Sequence, residues 1–528
     1  MSDWNEGYIT DIGYTYGYYT ELNPLRTRLA LLSAGWAATP ALSDGPACEL
    51  GMGQGVSVNV HAAASGNAWL ATDFNPSQVA FAQELASVSG VDAQGTRLFE
   101  EAFADFCQRT DLPDFSFIGV HGIWSWISDA NRAVIVDFVR RKLRVGGVLY
   151  ISYNTQPGWA AMAPMRDLLT EHAQVMGVPG KGMPGRIDAA LAFAERLVDS
   201  NCHYAQANPQ IATRLKRLQS ANRSYLAHEY FNHDWEPMSF TRMARWLSGA
   251  KLGYACSAHY LDHLTALNFT PVQHALLQEQ PDAMFRETVR DFLVNQQFRR
   301  DYWVKGPRRL APGDQADALR AQRVLLATSA TDVSMKVKAP VGEATLTPAI
   351  YEPVVTAMAD HQVHSIGELW QQLQAGTSKS SISFAQLTEA IMLLAGTGDV
   401  VAVQESEVVQ RAQPQTDKLN RHLLGMARNH ADIGAVASPV SGGGVTLGRF
   451  QQLFLLAMLE GKTPKEAPEP AALADFAWTT LMAQGQRLLK DGKPMDVAQD
   501  NIDELTLQAI EFVTKRLPVL RRLSVVPG

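Results

Sequence analysis

Ala47-Cys48-Glu49-Leu50-Gly51-Met52-Gly53-Gln54-Gly55 is the stretch on which the fold turns. Residues 47–51 have the short apolar character of a buried strand, and they run straight into three alternate glycines and then a helix. Glycines at such a turn let a ligand approach the backbone, and the helix behind it offers unpaired N–H groups. Asp73 follows Gly51 by 22 residues, at the end of a second strand-like run, AWLATDF (68–74). An acid at that point can accept hydrogen bonds from ribose hydroxyls. Further runs follow at TRLFEE (96–101), FSFIGVHGI (115–123) and VLYISYN (148–154), with helix-period segments between them such as NRAVIVDFVRRKLRVGG. Strand and helix alternating at roughly thirty-residue spacing predict an α/β fold, a parallel sheet with helices on both faces.

Upstream stand Tyr14, Tyr16, Tyr18 and Tyr19, then Asn23-Pro24, which reads as a helix start. Downstream the alternation stops. Residues 161–224 read as a helical insertion broken by GVPGKGMPGR (177–186). Two strand-like runs at 251–260 and 298–306 can complete the sheet within 225–310, and 307–320 reads as a linker. Residues 311–405 predict a winged-helix-like middle domain, from two amphipathic helices, a glycine turn and an apolar strand. Residues 406–528 read as mostly helical around a loop, SPVSGGGV (438–445). The first domain is therefore taken as 1–160.

The chain has 528 residues, 46% hydrophobic and 19% charged, which excludes general disorder. Its formal charge of −7 argues against bulk nucleic acid or an anionic membrane as main partner. Cys48, Cys107, Cys202 and Cys256 are scattered without a CxxC pair, as expected of thiols in a reducing compartment. The opening residues lack a basic and apolar leader, and no apolar run approaches the ~18 residues of a membrane span. A cytoplasmic protein without membrane insertion is expected.

Two residues choose between nucleotides. A dinucleotide fingerprint wants Gly or Ala where Val56 stands. Glu49 lies two residues before the first glycine, where it would repel a pyrophosphate but attract a ligand bearing an ammonium and a sulfonium. S-adenosyl-L-methionine is such a ligand.

ELGMGQG, ATDFNP and the acidic third strand end FEEA resemble the motifs of class I S-adenosylmethionine-dependent methyltransferases, and Arg144-Val-Gly-Gly147 resembles that fold's turn before the fifth strand. YTYGYYTELNP (14–24), HGIWSWIS (121–128), SYNTQPGW (152–159) and YLAHEYFN (225–232) are similar to bacterial members carrying a methyltransferase regulatory domain, among them rickettsial protein-lysine methyltransferases of outer-membrane proteins. The resemblance implies a Rossmann-like sheet. It places Gly51, Gly53 and Gly55 in the donor loop, Glu49 at the methionine end, Asp73 with Asn75 at the ribose, and Glu101 with Ala102 at the adenine. His121, after the fourth strand, would stand near the reacting methyl. It also implies a homodimer through the helical insertion. Two departures stand out: Ser116 or Asp114 replaces the usual acid at the start of the fourth strand, and Asn154-Thr155 is not the NPPY motif of amide and adenine methylases.

A lysine acceptor must lose a proton, since at pH 7 only about one amine in 2,500 is neutral. Burial in an aromatic pocket or a nearby base would supply that. Tyr14 to Tyr19, Trp124, Trp126, Tyr153 and Trp159 are expected to converge near the fourth and fifth strand ends, with His121, Tyr16, Tyr153 and Trp126 as catalytic candidates and His228 and Glu229 beside them. HEYF lacks the second histidine of HExxH, so no metal is expected. Residues 345–403 carry Lys379 against Glu352, Asp360, Glu368, Glu389 and Asp399, a net charge of −4 unsuited to nucleic acid and better suited to protein recognition. Arg299, Arg300, Lys305, Arg308 and Arg309 read as a solvated basic face. These features predict methylation of lysine side chains on a protein acceptor. The alternatives are methylation of a small molecule, or donor binding by a regulatory protein without activity.

Overall fold

The computed structural model describes residues 8–9, 12–38, 45–177, 180–375, 382–490 and 492–526. Residues 1–7 and Lys379, both used above, lie outside them. Seven strands form one sheet: β1 (Ala47–Leu50), β2 (Trp69–Asp73), β3 (Arg97–Glu100), β4 (Phe115–Val120), β5 (Leu143–Asn154), β6 (Leu252–Ser257) and β7 (Phe298–Lys305). Their order is β3-β2-β1-β4-β5-β7-β6. The first five run parallel, while β7 is antiparallel to both β5 and β6. Every residue of β1 and β4 is buried, as parallel strands covered on both faces require. Strand order reverses between β1 and β4, so a crevice opens over their carboxyl ends, beside the glycine turn.

Gly51, Gly53 and Gly55 have φ of +76°, +54° and +68°, a region that side chains rarely adopt. Space demands glycine as well. A Cβ on Gly51 would lie 2.3 Å from Ile123 Cδ1, and one on Gly55 would lie 2.4 Å from the Ala82 Cβ. Gly55 thus fits two helices together, Val56–Ser65 and Pro76–Ser89. The helix at Pro24 begins as expected, with Asn23 capping the Leu25 N–H at 2.9 Å.

Several expectations need correction. The 307–320 stretch is not all linker, because Pro312–Arg320 is helical. SPVSGGGV is the turn and second strand of a hairpin, Ala435–Ser438 with Gly443–Thr446. The pairing of β4 and β5 slips between Phe115↔Leu143 and Phe117↔Val148, so residues 144–147 form a bulge within β5 and not a turn before it. The basic stretch is a solvated face only in part, since Arg308 and Arg309 are exposed but the rest is not. Arg299 is 2% exposed, Arg300 pairs with Glu21 at 2.6 Å, and Arg309 lies 3.7 Å over the Trp36 ring.

Helices fill 161–224, as expected. Between 311 and 405, the helices Pro348–Ala357, Ile366–Ala375 and Phe384–Thr397 pack with a small antiparallel sheet of Arg323–Leu326, His364–Ser365 and Val400–Ala402. The polar 405–418 stretch belongs to a long helix, Ser406–Met426, laid across Val56–Ser65. Thr416 donates to the Ala63 carbonyl and Gln404 to that of Ala64. Val56–Ser65 is buried at all ten positions, which its nearly uniform apolar text, VSVNVHAAAS, permits.

Candidate functional site

A cleft lies over the ends of β1, β2 and β4, roofed by the N-terminal segment. Its floor holds Glu49, Gly51, Gly53, Asp73, Glu101 and Ala102, and its walls hold Tyr8, Tyr14, Tyr19, Phe103, His121 and Trp126. Among the described lining residues there are four carboxylates, counting Asp234 at the rim, and neither a lysine nor an arginine.

Glu49 is the penultimate residue of β1, is 2% exposed, and its Oε2 has no hydrogen-bond partner among the described residues. Burial, reinforced by the Asp73 charge, pushes its carboxyl up to about 8. Asp73 is better served: Oδ2 accepts from Gly53 N at 2.9 Å and Oδ1 from Asn75 N at 3.0 Å. Burial still raises its carboxyl, against those N–H groups. Asp73 therefore ties the glycine turn to the end of β2. Glu101 pairs with Arg109 at 2.6 Å, which leaves Oε2 buried and unbonded among the described residues.

His121 stands at the end of β4. Its Nδ1 is 2.7 Å from Tyr150 Oη, and its ring stacks on Tyr19 with centroids 3.6 Å apart. Burial pulls its imidazole down to about 4, with Arg300 adding to the shift and Glu21 opposing it, so the ring is neutral at pH 7. Burial raises the hydroxyls of Tyr8, Tyr14 and Tyr19, that of Tyr19 to about 12. His228 holds the N-terminal segment in place, with Nε2 3.1 Å from the Ile12 carbonyl and its ring against Tyr8 and Tyr14. Beside it, burial pushes Glu229 up to about 7.

Of the predicted site residues, Glu49, Gly51, Gly53, Asp73, Glu101, Ala102, His121 and Trp126 line this one cleft. Others do not. Asn75 caps the helix Pro76–Ser89, accepting from Ser77 N at 3.0 Å, and Gly55 serves helix packing. Tyr16 packs edge-on against Phe81 and stacks on His430, outside the cleft. The Tyr18 hydroxyl accepts from Gly444 N at 2.6 Å in the C-terminal hairpin. Tyr153 points through the sheet, its fully buried hydroxyl donating to Asp301 Oδ2 at 2.9 Å. Trp124 packs on Trp246, and Trp159 on Trp235 and Tyr230. Alternation along β5 explains Tyr153, since neighbouring side chains face opposite sides of the sheet and Tyr150 takes the side facing His121.

Tyr8, Phe103, Ser128, Asn131 and Asp234 were not anticipated. The Ser128 side chain caps the following helix, accepting from Asn131 N at 3.3 Å, and that S-x-x-N pattern was a readable signal. Tyr8 carries no local signal. Among the described residues, no group of three His, Cys, Asp or Glu could hold a metal ion, and no helix is long and apolar enough to cross a membrane.

The sequence family described as "Predicted methyltransferase regulatory domain" matches residues 222–305, which include β6 and β7. An uncharacterized protein of Synechocystis sp. is 35% identical over 99% of both chains. The chain belongs to the class I S-adenosylmethionine-dependent methyltransferases with a regulatory domain. An uncharacterized protein of Rickettsia prowazekii is 26% identical to this methyltransferase over 49% of the chain and 46% of its own length. The fold of the methyltransferase is that of PKMT2 from Rickettsia typhi, solved in complex with AdoHcy. The TM-score is 0.68 at 17% identity, covering 96% of this chain and 99% of that one. The insertion and C-terminal half thus belong to the shared architecture.

Proposed function

We propose that the methyltransferase transfers the methyl of S-adenosylmethionine to lysine side chains of a protein. The cleft's four carboxylates carry the reading: no lysine or arginine stands in the described lining, and among the described residues only Glu101 has such a partner, Arg109 behind it. They suit a cationic donor and a cationic acceptor alike.

The unbonded Glu49 oxygen fits the donor's ammonium, and Asp73 fits its ribose hydroxyls. Glu101 and Ala102 would flank the adenine. S-adenosylmethionine supplies a methyl already activated by sulfonium, so the chain's work is alignment and preparation of the amine. Tyr8, Tyr14, Tyr19 and Trp126 make an aromatic wall that disfavours the ammonium form by desolvation and can hold a methylated product through cation–π contact. The amine lone pair forms the N–C bond as the C–S bond breaks toward sulfur, and one proton leaves the nitrogen. His121 is a weak base with its imidazole near 4, so its place is to position Tyr19. Glu229, near 7, lies outside the cleft lining and can take that proton only through an intervening group.

The large remainder of the chain supports a macromolecular acceptor, and an outer-membrane protein is the reading the resemblance favours. We further propose a cytoplasmic homodimer joined by 161–224, a winged-helix-like module over 311–405 that recognises protein, and a mostly helical C-terminal domain from 406 that closes over the helix Val56–Ser65. Incubation with labelled donor and a lysate of the host tests the central claim. Label surviving hydrolysis as methyl-lysine in a protein band is expected, and label confined to the small-molecule fraction would overturn it.

A further inference from the structure

A second cavity, of about 600 Å³, lies between the methyltransferase sheet and the C-terminal half. That volume falls within the range of small-ligand sites. Tyr19 lines both this cavity and the donor cleft, yet the two differ in sign. Three arginines, Arg26, Arg300 and Arg516, face a single carboxylate, Glu21, giving the lining a net charge of two positive in a chain of net charge −7. His259 adds no charge at pH 7, because burial pulls its imidazole down.

The arginines are fixed in place. Arg300 pairs with Glu21 at 2.6 Å. Arg26 lies 3.9 Å over the Tyr260 ring and donates from Nη1 to the Ala395 carbonyl at 3.2 Å. Its Nε is buried without an acceptor among the described residues. Arg516 donates to the carbonyls of Ala327 and Thr446 at 2.8 and 3.1 Å. Among the described residues, neither Arg26 nor Arg516 has a carboxylate within ion-pair distance; the nearby Asp399 is engaged by the Thr397 hydroxyl at 2.6 Å. Burial weakens the hold of Arg516 on its own proton, as expected of a guanidinium lacking a counter-charge. The hydroxyls of Thr328 and Ser441 complete the lining with donors. Guanidiniums held by backbone carbonyls keep N–H groups free for carboxylate or phosphate oxygens.

We propose that this cavity binds a small polyanion bearing phosphate or carboxylate groups, at a site distinct from the donor cleft. The test uses the full-length chain at low ionic strength, where such contacts are least screened. Pyrophosphate and citrate are titrated calorimetrically, one arm for each oxyanion. Saturable binding of at least one probe is expected, weakened at least tenfold in Arg516→Gln and in Arg26→Gln while S-adenosylhomocysteine affinity stays the same. No saturable binding by about 10 mM of either probe, or equal affinity in wild type and both variants, would overturn the site. Crystals of the wild-type chain soaked in tungstate avoid any question of variant folding. An anomalous peak beside the Arg26 and Arg516 guanidiniums is expected, and its absence there counts against the proposal. None of these readouts depends on the methyl acceptor.

Discussion

Two clusters of buried charge sit on the same sheet and are built in opposite ways. Below β5 and β7, Arg299 reaches Asp301 at 3.0 Å, Asp291 at 2.6 Å and Glu287 at 2.8 Å, and Tyr153 completes Asp301. Charge there meets counter-charge at hydrogen-bond distance. Over the ends of β1 and β2, Glu49 and Asp73 are buried too, but among the described residues no lysine or arginine pairs with Glu49. A buried charge with its partners in the chain is architecture, whereas one whose partner is lacking marks a place for a ligand.

The sharpest way to break this contrast is to remove the centre of the paired cluster. Arg299→Gln strips Asp301 of its cation and leaves Asp291 with Arg290 alone, at 3.9 Å, and should cost about 3–5 kcal/mol of stability, read by denaturant unfolding. A loss below about 1 kcal/mol would mean that the cluster is no architecture at all. In the cleft, Asp73→Ala should weaken donor affinity at least tenfold by calorimetry, since both the ribose acceptor and the tie to Gly53 are lost. Wild-type affinity in that variant would detach Asp73 from the donor.

Glu49→Gln sharpens the same point through pH. The folded chain holds this carboxyl near 8 against an ordinary 4.5, so the unfolded chain gives up the proton first. Its contribution to stability is most favourable below 4.5 and is lost as pH rises toward 8. The variant should flatten that slope in thermal melts, while donor affinity falls about tenfold. Wild-type chain should also release a proton on binding S-adenosylmethionine at pH 7, seen as a binding enthalpy that changes with the buffer. Tyr153→Phe should touch stability and leave the cleft alone. One buried hydrogen bond to a carboxylate is lost, about 1.5–3 kcal/mol, with donor affinity unchanged.

The sheet was readable because parallel strands announce themselves as apolar runs between glycine turns; six of the seven sheet strands lie within predicted runs, and β5 begins five residues ahead of its own. The carboxylates of the cleft floor followed from the same text, since Glu49, Asp73 and Glu101 stand at or beside strand ends. The aromatic walls were read less well. Tyr16 and Tyr153 sit in aromatic-rich segments, but only the pleat of β5 and the course of the N-terminal segment decide which rings reach the cleft. Arg299 was misread as solvated because two of its carboxylates come from the preceding helix Ala283–Leu293, whose packing onto β7 only the fold decides. The hairpin at 435–446 was hidden by its glycines, which read as loop until another surface covers them.

The helix after the glycine turn, Val56–Ser65, has no side that meets water, and its covering arrives from beyond residue 400. During synthesis it must wait, greasy on its outer face, while more than three hundred further residues are made. The glycine-turn end of the enzyme is thus begun first and finished last, and the two halves cannot be traded between relatives as independent cassettes.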